Sequence, residues 1–245
     1  MATEPAGTER ETERVEAFSD GVMAIAITLL ILEVKVPHPP GMASIDLLKE
    51  LLRIWPSYFA LALSFVMIGI YWANHHYVFK LFAKTDHGLN LLNLLFLFCI
   101  SFLPFPTAVL GSYVLDAANQ TTAATFYAAG LLLPAVSWTL MWLYACYARR
   151  LVDRRLESRF LWLLTVKYIG SVVVYSIAVL VSLVAFKLGL ALCVGLTLLY
   201  LSPPHFPALH ATVQKSCRPC ENSLTADSGA APDAIDCGHA THRRP

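Results

Sequence analysis

The sequence has little charge. Asp, Glu, Lys and Arg make up 14% of its 245 residues and 57% are hydrophobic, whereas an average soluble domain is about 25% charged. This shortage excludes an ordinary soluble domain and is typical of a membrane protein. The charges that are present nearly cancel, because 18 Lys and Arg residues against 17 Asp and Glu residues leave a formal net charge of +1. Nothing in that balance indicates a nucleic acid as a partner.

Several signatures of other functions are also absent. The sequence contains neither the HExxH motif of zinc proteases nor the GxSxG motif of serine hydrolases, which counts against an enzyme. No later span repeats the motif of the first, so the chain lacks the paired halves that many transporters show. A cleaved signal peptide is not expected either, because residues 1–13 are polar and acid-containing and a full-length apolar segment follows them.

What the sequence does have is long apolar runs. A helix of about 20 apolar residues crosses the roughly 30 Å hydrocarbon core of a bilayer. We predict an all-α polytopic membrane protein with six transmembrane helices in residues 14–201, between a cytoplasmic tail (1–13) and a disordered cytoplasmic tail (202–245). Five spans are the alternative, because residues 160–201 are nearly continuous. The predicted spans are 17–36, 56–79, 89–112, 122–146, 160–183 and 185–201.

Two shorter features modify this pattern. The loop 37–54 contains DLLKELLRIW, which predicts a short amphipathic helix at the membrane surface. The PFP sequence from Pro104 to Pro106 marks a potential break in the third span, because proline removes a helical hydrogen bond.

Lys and Arg are unevenly distributed along the chain, and cytoplasmic loops carry their excess. With the N-terminus inside, thirteen lie on the inner side and four on the outer side, so both termini are expected in the cytoplasm. The cluster before the fifth span is explained by this topology, with contact to anionic lipid as an addition. The inner residues are Arg10, Arg14, Lys80, Lys84, Arg149, Arg150, Arg154, Arg155, Arg159, Lys215, Arg218, Arg243 and Arg244, and the outer ones are Lys35, Lys49, Arg53 and Lys187.

The six cysteines form two groups. One group lies within spans, where a thiol behaves as a small apolar residue: Cys99, Cys146 and Cys193. The other group lies in the tail and, with a nearby histidine, has a spacing that zinc sites use: Cys217, Cys220, Cys237 and His239. The small, polar, proline-containing surroundings favour disorder over a metal site, so we expect neither a metal nor a cofactor.

The first apolar segment, RVEAFSDGVMAIAITLLILEV, begins at Arg14 with polar residues. On a helical wheel, Asp20 lies about 140° from Ile25 and Ser19 lies on the remaining flank. Because a charge at membrane depth needs a partner, Asp20 is expected to face another helix. One apolar stripe avoids both residues, and by itself it indicates an ordinary packing face; it contains Phe18, Val22, Ile25, Thr28, Leu29 and Leu32.

The second span ends in YWANHH, which an antiparallel arrangement brings level with Asp20. Its polar side chains are candidate partners, which two asparagines of the third span could join: Trp72, Asn74, His75 and His76, with Asn90 and Asn93. The cluster is interpreted as interhelical hydrogen bonding worth about 0.6–2 kcal/mol per contact. The alternative is a proton relay or gate, since His titrates near physiological pH.

These residues carry a family resemblance. RVEAFSDGVMAIAITLLILE is similar to the RxxxFSD signature of the transmembrane protein 175 family, the potassium channels of endosomes and lysosomes and their prokaryotic relatives. YWANHH and NLLNLLFLFCISFLPFPTAVLG resemble that family's second and third helices. The likeness covers residues 14–201 and leaves the tail outside. Like the family, the sequence lacks the TVGYG filter loop of ordinary potassium channels.

The resemblance implies a potassium-selective or cation-permeable channel, with K+ as the permeant ion and a proton leak as a secondary activity, in a prokaryotic inner membrane. It places the hydrophobic constriction at Ile25, further apolar layers at Leu29 and Leu32, and the threonine layer linked to potassium selectivity at Thr28. One repeat per chain implies a homotetramer with the first helices around the pore. The residues implied to hold that helix in place are Arg14, Phe18, Ser19 and Asp20, with Trp72 and either His75 or His76 as partners.

Two other functions stay open at this point. Asp20, His75 and His76 could serve a proton-coupled transporter or an intramembrane enzyme, although metal-dependent membrane enzymes usually gather more acids and histidines than this chain offers. The chain could also be a structural or assembly protein, in which case the sequence does not name a partner for the tail. A tetramer would favour the channel, and a monomer would favour the transporter or enzyme.

Overall fold

The computed structural model describes residues 6–37, 44–147, 151–153 and 156–201. Over these ranges the chain is helical, and the β-structure is limited to an isolated bridge between Phe82 and Val152. The helices are α1 (Ala6–Leu29), α2 (Ser44–Arg53), α3 (Trp55–Phe79), α4 (His87–Phe102), α5 (Pro104–Tyr113), α6 (Gln120–Cys146), α7 (Ser158–Ser182) and α8 (Phe186–Leu201).

The described residues contain five apolar segments long enough to cross a membrane: Thr12–Glu33, Trp55–Phe79, His87–Tyr113, Gln120–Cys146 and Ser158–Ser182. Helix α8 is apolar but shorter. The all-α, multi-pass membrane fold is therefore confirmed, with five full-length spans and a short sixth helix where the sequence predicted six spans.

Helix α1 begins earlier than its span. It starts at Ala6, within the residues 1–13 that the sequence assigned to a polar tail. The run TERETER consists largely of residues with good helix propensity and contains no proline, so helix continues beyond the apolar segment. At its other end α1 tightens into a 3₁₀ turn, Leu30–Glu33.

The third span is broken, as the PFP sequence indicated. Helix α4 ends at Phe102 and α5 begins at Pro104. Pro104 has no backbone N–H to donate to the Ile100 carbonyl, which instead accepts from the Leu103 N–H at 3.1 Å. Proline chemistry therefore determines the position of the break.

Helix α6 lies in the middle of the bundle and packs on α4, α5, α7 and α8, whereas α1 packs on α3 and α4. Glycine allows the closest approach between α3 and α5. A Cβ atom added to Gly111 of α5 would lie 2.8 Å from the Ser57 backbone of α3.

Helix α1 is supported from one side only, because within the chain it packs on α3 and α4.

We name the end of the bundle that contains the start of α1 the N-terminal end; α3 and α6 end there, and α4 begins there. A loop contact closes this end. The Ala83 N–H donates to the Leu151 carbonyl at 2.7 Å. Asp86 caps α4 by accepting from the Leu89 N–H at 2.8 Å, and it also accepts from the Tyr144 hydroxyl of α6 at 3.0 Å. These bonds link the α3–α4 loop to α6.

The predicted amphipathic helix in the loop before the second span is confirmed as α2, whose Leu47, Leu48 and Leu52 are exposed. Other predictions lie outside the described residues and stay predictions. They concern the tail 202–245 with Cys217, Cys220, Cys237 and His239, and the loop arginines Arg149, Arg150, Arg154 and Arg155.

Candidate pore helix and the side chains that hold it

Helix α1 has one buried face. Ser19, Met23, Ala26 and Leu30 are at most 2% exposed, and their spacing of three to four residues places them on one side of the helix. That side contacts α3 and α4. Apart from Ser19 the face is apolar and small enough for close packing.

The opposite face of α1 is uncovered within the chain. Ile25 is 60% exposed, Leu29 43% and Leu32 71%, and Thr28 is also exposed. The stripe predicted from the wheel therefore lies on the uncovered face, except that Val22 is half-buried. The uncovered face is wider than the stripe, because support from one side leaves Gly21, Ala24 and Ile31 exposed as well.

The hydroxyl of Thr28 is oriented by its own helix. Its Oγ1 donates a hydrogen bond to the Ile25 carbonyl at 2.9 Å. With the proton used in this bond, the remaining lone pairs of the hydroxyl oxygen are free to accept or to contact a cation. Among the stripe residues, Thr28 alone carries such an oxygen.

Two polar contacts join the first turns of the α1 span to the end of α3. The Trp72 indole Nε1 donates to the Asp20 carboxylate at 3.0 Å, and His76 Nδ1 lies 2.9 Å from the Glu16 carboxylate. The pairs are one helical turn apart on both helices, as antiparallel packing requires. The sequence reasoning overlooked Glu16, although its position one turn before Asp20 matches that of His76 one turn after Trp72.

A second, buried connection joins α1 to α4 and α3. Ser19 Oγ accepts from Asn93 Nδ2 at 2.9 Å and donates to the Val15 carbonyl at 2.8 Å. Asn93 Oδ1 lies 3.0 Å from His75 Nε2, and because an amide oxygen only accepts, His75 donates. The His75 ring stacks on Phe79 with centroids 4.1 Å apart. The two histidines thus have different partners, and neither is bonded to Asp20.

The other polar candidates do not join these contacts. Asn74 Nδ2 donates to the Ile70 carbonyl of its own helix at 2.8 Å. The Oδ1 atom of Asn90 is buried without a hydrogen-bond partner. Arg14 is exposed and lines an open cavity of about 550 Å³ between α1 and the start of α4. Phe18, 55% exposed, lines the same cavity.

The sequence reasoning missed one buried polar group altogether. Ser64 Oγ lies 2.7 Å from Thr107 Oγ1 and 3.0 Å from the Tyr127 hydroxyl, and Thr107 donates to the Leu103 carbonyl at 2.8 Å. This chain of hydroxyls joins α3, α5 and α6 beside the break in the third span. Isolated Ser, Thr and Tyr residues in apolar runs were the available signal, but periodicity alone could not pair them.

The contacts leave little for the chemistry of an enzyme. Asp20 is bonded to Trp72, His75 to Asn93, and His76 to Glu16. In the part of the chain that the structure describes, no three His, Cys, Asp or Glu side chains are grouped so that they could hold a metal ion.

Comparison with known proteins places these features in a family. Residues 14–104, which contain the stripe of α1 and the polar contacts of α1 with α3 and α4, match the family model described as "Endosomal/lysosomal potassium channel TMEM175". A potassium channel from Chamaesiphon minutus is 38% identical over 192 residues, covering 78% of this chain and 94% of that protein. The endosomal/lysosomal proton channel TMEM175 of Gallus gallus is 39% identical over 117 residues, covering 45% of this chain and 23% of that protein.

A solved structure agrees with the sequence matches. The crystal structure of a lysosomal potassium-selective channel TMEM175 homolog from Chamaesiphon minutus superposes with a TM-score of 0.71 at 37% identity, covering 78% of this chain and 97% of that chain. The similarity therefore extends over nearly all of that channel. The chain belongs to the family of the endosomal/lysosomal potassium channel TMEM175, a family of ion channels and not of enzymes.

Proposed function

We propose that the chain is a potassium channel whose pore is lined by α1 from four copies. The observation that carries the proposal is the uncovered apolar face of α1, where Ile25, Leu29 and Leu32 are between 43% and 71% exposed. A helix supported by its own subunit on one side and apolar on the other is suited to stand around a shared axis. Family membership supports the same function, since the relatives are named potassium channels.

The arrangement needs several copies because each chain supplies one such helix. One α1 encloses nothing, whereas four around an axis enclose a narrow passage lined by their stripes. The contacts of Asp20, Glu16 and Ser19 with α3 and α4 hold each α1 against its own subunit. In this proposal these contacts position the helix, and the apolar residues Ile25, Leu29 and Leu32 line the pore.

Ile25 forms the narrowest ring in this proposal, with apolar rings of Leu29 and Leu32 beyond it. A narrow apolar ring expels water, and a K+ ion that loses its hydration shell there meets a high barrier. Such a ring is a hydrophobic gate.

Thr28 supplies the polar layer between the apolar rings. Its oxygen, with the proton engaged by the Ile25 carbonyl, presents lone pairs to the axis. Four such oxygens could replace water ligands of a dehydrated K+ ion, and we propose that they set the preference for K+ over Na+.

Other parts of the proposal concern what surrounds the pore. We place the protein in a prokaryotic inner membrane. We place both termini in the cytoplasm, since this orientation puts thirteen Lys and Arg residues on the inner side and four on the outer side. The chain needs no cofactor for this function. Proton permeation is a secondary activity in the proposal, as the Gallus gallus relative is named a proton channel.

A transporter or enzyme built on Asp20, His75 and His76 receives no support, because the relatives are named ion channels. A purely structural role receives no support from the relatives, which are named ion channels.

The experiment is K+ flux into liposomes that contain the full-length protein, driven by a potassium gradient, with valinomycin as the positive control. Wild type should conduct K+, and I25N should raise the flux several-fold, because an amide in the narrowest ring keeps it hydrated. Ile177 of α7, also exposed at 46%, provides the matched control, since I177N adds the same amide away from α1.

No cation flux from wild type under any gradient or pH would contradict the channel. Equal increases from I25N and I177N would contradict the position of the gate, since a general loss of packing would then explain the leak.

A further inference from the structure

Helix α7 carries a basic side chain deep in its span. Lys167 lies nine residues after the first residue of α7, Ser158, which is about 13 Å along the helix axis. It is half-buried. An ammonium group at such a depth is unfavourable unless it reaches water, a headgroup or a partner.

Lys167 has an aromatic contact but no carboxylate partner among the described residues. Its Nζ lies 4.6 Å from the centroid of the Tyr200 ring, and the Tyr200 hydroxyl donates to the Lys167 carbonyl at 3.1 Å. The two described ion pairs involve other residues. Residues 158–201 contain no Asp or Glu at all, so α7 and α8 cannot supply an anion.

The last described turn of α8 lies beside this lysine, since Tyr200 contacts Lys167. The described part of α8 has 16 residues and is about 24 Å long. The turns of α7 before Lys167 expose Trp162 at 63%, Leu163 at 50% and Val166 at 48%.

We propose that Lys167 binds the phosphate of an anionic phospholipid whose headgroup lies beside the exposed first turns of α7. The ammonium is the positive partner and the Tyr200 ring holds it in place. Exposed Arg159 lies two turns nearer the N-terminal end and adds positive charge along the path of the headgroup. Trp162, between these two basic residues, has the amphipathic ring that is enriched at the lipid interface.

The chain's own tail is the competing occupant. It continues directly from Leu201 and contains acidic residues, of which the first, Glu221, is twenty positions further on. The lipid is the better candidate, because a lysine side chain can extend along the helix toward the headgroup region, where lipid phosphates are present at high local concentration.

The test is native mass spectrometry of the full-length protein purified with phosphatidylglycerol or phosphatidylcholine, counting the lipids retained. Wild type should retain phosphatidylglycerol in preference, and K167Q should weaken that retention about fivefold, which corresponds to about 1 kcal/mol per basic residue. K167R should behave as wild type. Lys187, at the opposite end of the same helical hairpin with Nζ 5.9 Å from the Phe186 ring centroid, provides the matched control K187Q, which should also behave as wild type.

Several results would overturn the proposal: equal phosphatidylglycerol retention by K167Q and wild type, an equal loss in K187Q, or no preference over phosphatidylcholine. Displacement of the lipid by inorganic phosphate would identify a soluble anion site instead. Circular dichroism checks that K167Q is folded; if it is not, Y200L replaces it, with a loss of retention expected.

The tail is tested by a variant in which Glu221, Asp227, Asp233 and Asp236 are changed to their amides. Its phosphatidylglycerol retention should equal that of wild type. A several-fold increase that disappears in K167Q would identify the tail as the natural occupant of the site and overturn the assignment to lipid.

Discussion

At the scale of single residues, the polar side chains of the α1–α3–α4 contacts differ from the proposed pore residues in having partners within the subunit. Asp20, His75 and His76 are the conspicuous residues in the sequence, and each has a partner inside the subunit. Ile25 and Thr28 are exposed, and the hydrogen bond between them lies within their own helix. Because polar groups at membrane depth need partners, conspicuous residues are well suited to hold a helix in place.

Thr28 allows a prediction at this scale. T28A should lower the permeability ratio of K+ to Na+ by at least a few-fold, because it removes the hydroxyl oxygen proposed to contact the ion, while T28S should keep most of the preference. The measurement is the reversal potential under opposed K+ and Na+ gradients in planar bilayers. Equal ratios in wild type and T28A would contradict a selective role for Thr28, and a loss in T28S would point to the shape of the side chain instead.

At the scale of elements, α1 is held by polar contacts in its first turns and by apolar packing further on. Asn93 of α4 lies at the centre of the buried connection, since it bonds to both Ser19 and His75. The rest of the interface depends on Met23, Ala26 and Leu30. A change at Asn93 therefore affects how three helices meet.

We expect N93A to destabilise the subunit by about 2–3 kcal/mol, because it removes two hydrogen bonds and leaves buried polar groups unpaired. N74A is the matched control and should cost less than about 1 kcal/mol, since Asn74 bonds only to its own helix. Unfolding in sodium dodecyl sulfate, followed by circular dichroism, measures both. A similar loss of unfolding free energy in the two variants would show that the Ser19–Asn93–His75 connection stabilises the subunit no more than a hydrogen bond within one helix does.

The elements themselves were largely predictable from the sequence. Apolar runs and proline positions are local properties, so the spans and the break at Pro104 could be predicted. The start of α1 at Ala6 was not predicted, because hydrophobicity gives no signal where a helix continues into polar residues. The shortness of α8 was not predicted, because the sequence left open only whether the nearly continuous residues 160–201 form one span or two.

At the scale of the whole molecule, the proposed pore needs more than one chain, because each chain supplies a single α1 helix. The proposal predicts a tetramer of about 108 kDa, four times the 27.0 kDa chain, in native mass spectrometry, and fourfold symmetry in single-particle images viewed down the membrane normal. A24W should weaken the tetramer, because Ala24 lies on the uncovered face of α1. A191W, at an exposed position of α8, is the control and should not. A monomer in wild type, or equal effects of both variants, would contradict assembly around α1.

The sequence by itself determined the membrane class, the position of the spans and the stripe of Ile25, Thr28, Leu29 and Leu32, because composition and helical periodicity are properties of consecutive residues. Only the tertiary structure decided that His76 pairs with Glu16, that His75 reaches Ser19 through Asn93, and that Ser64, Thr107 and Tyr127 meet. These contacts depend on the rotation and depth of one helix relative to another, which a linear pattern of apolar residues leaves open to within about a turn. For the same reason, Lys167 is a single charge within a span in the sequence, and its contact with Tyr200 is visible only in the tertiary structure.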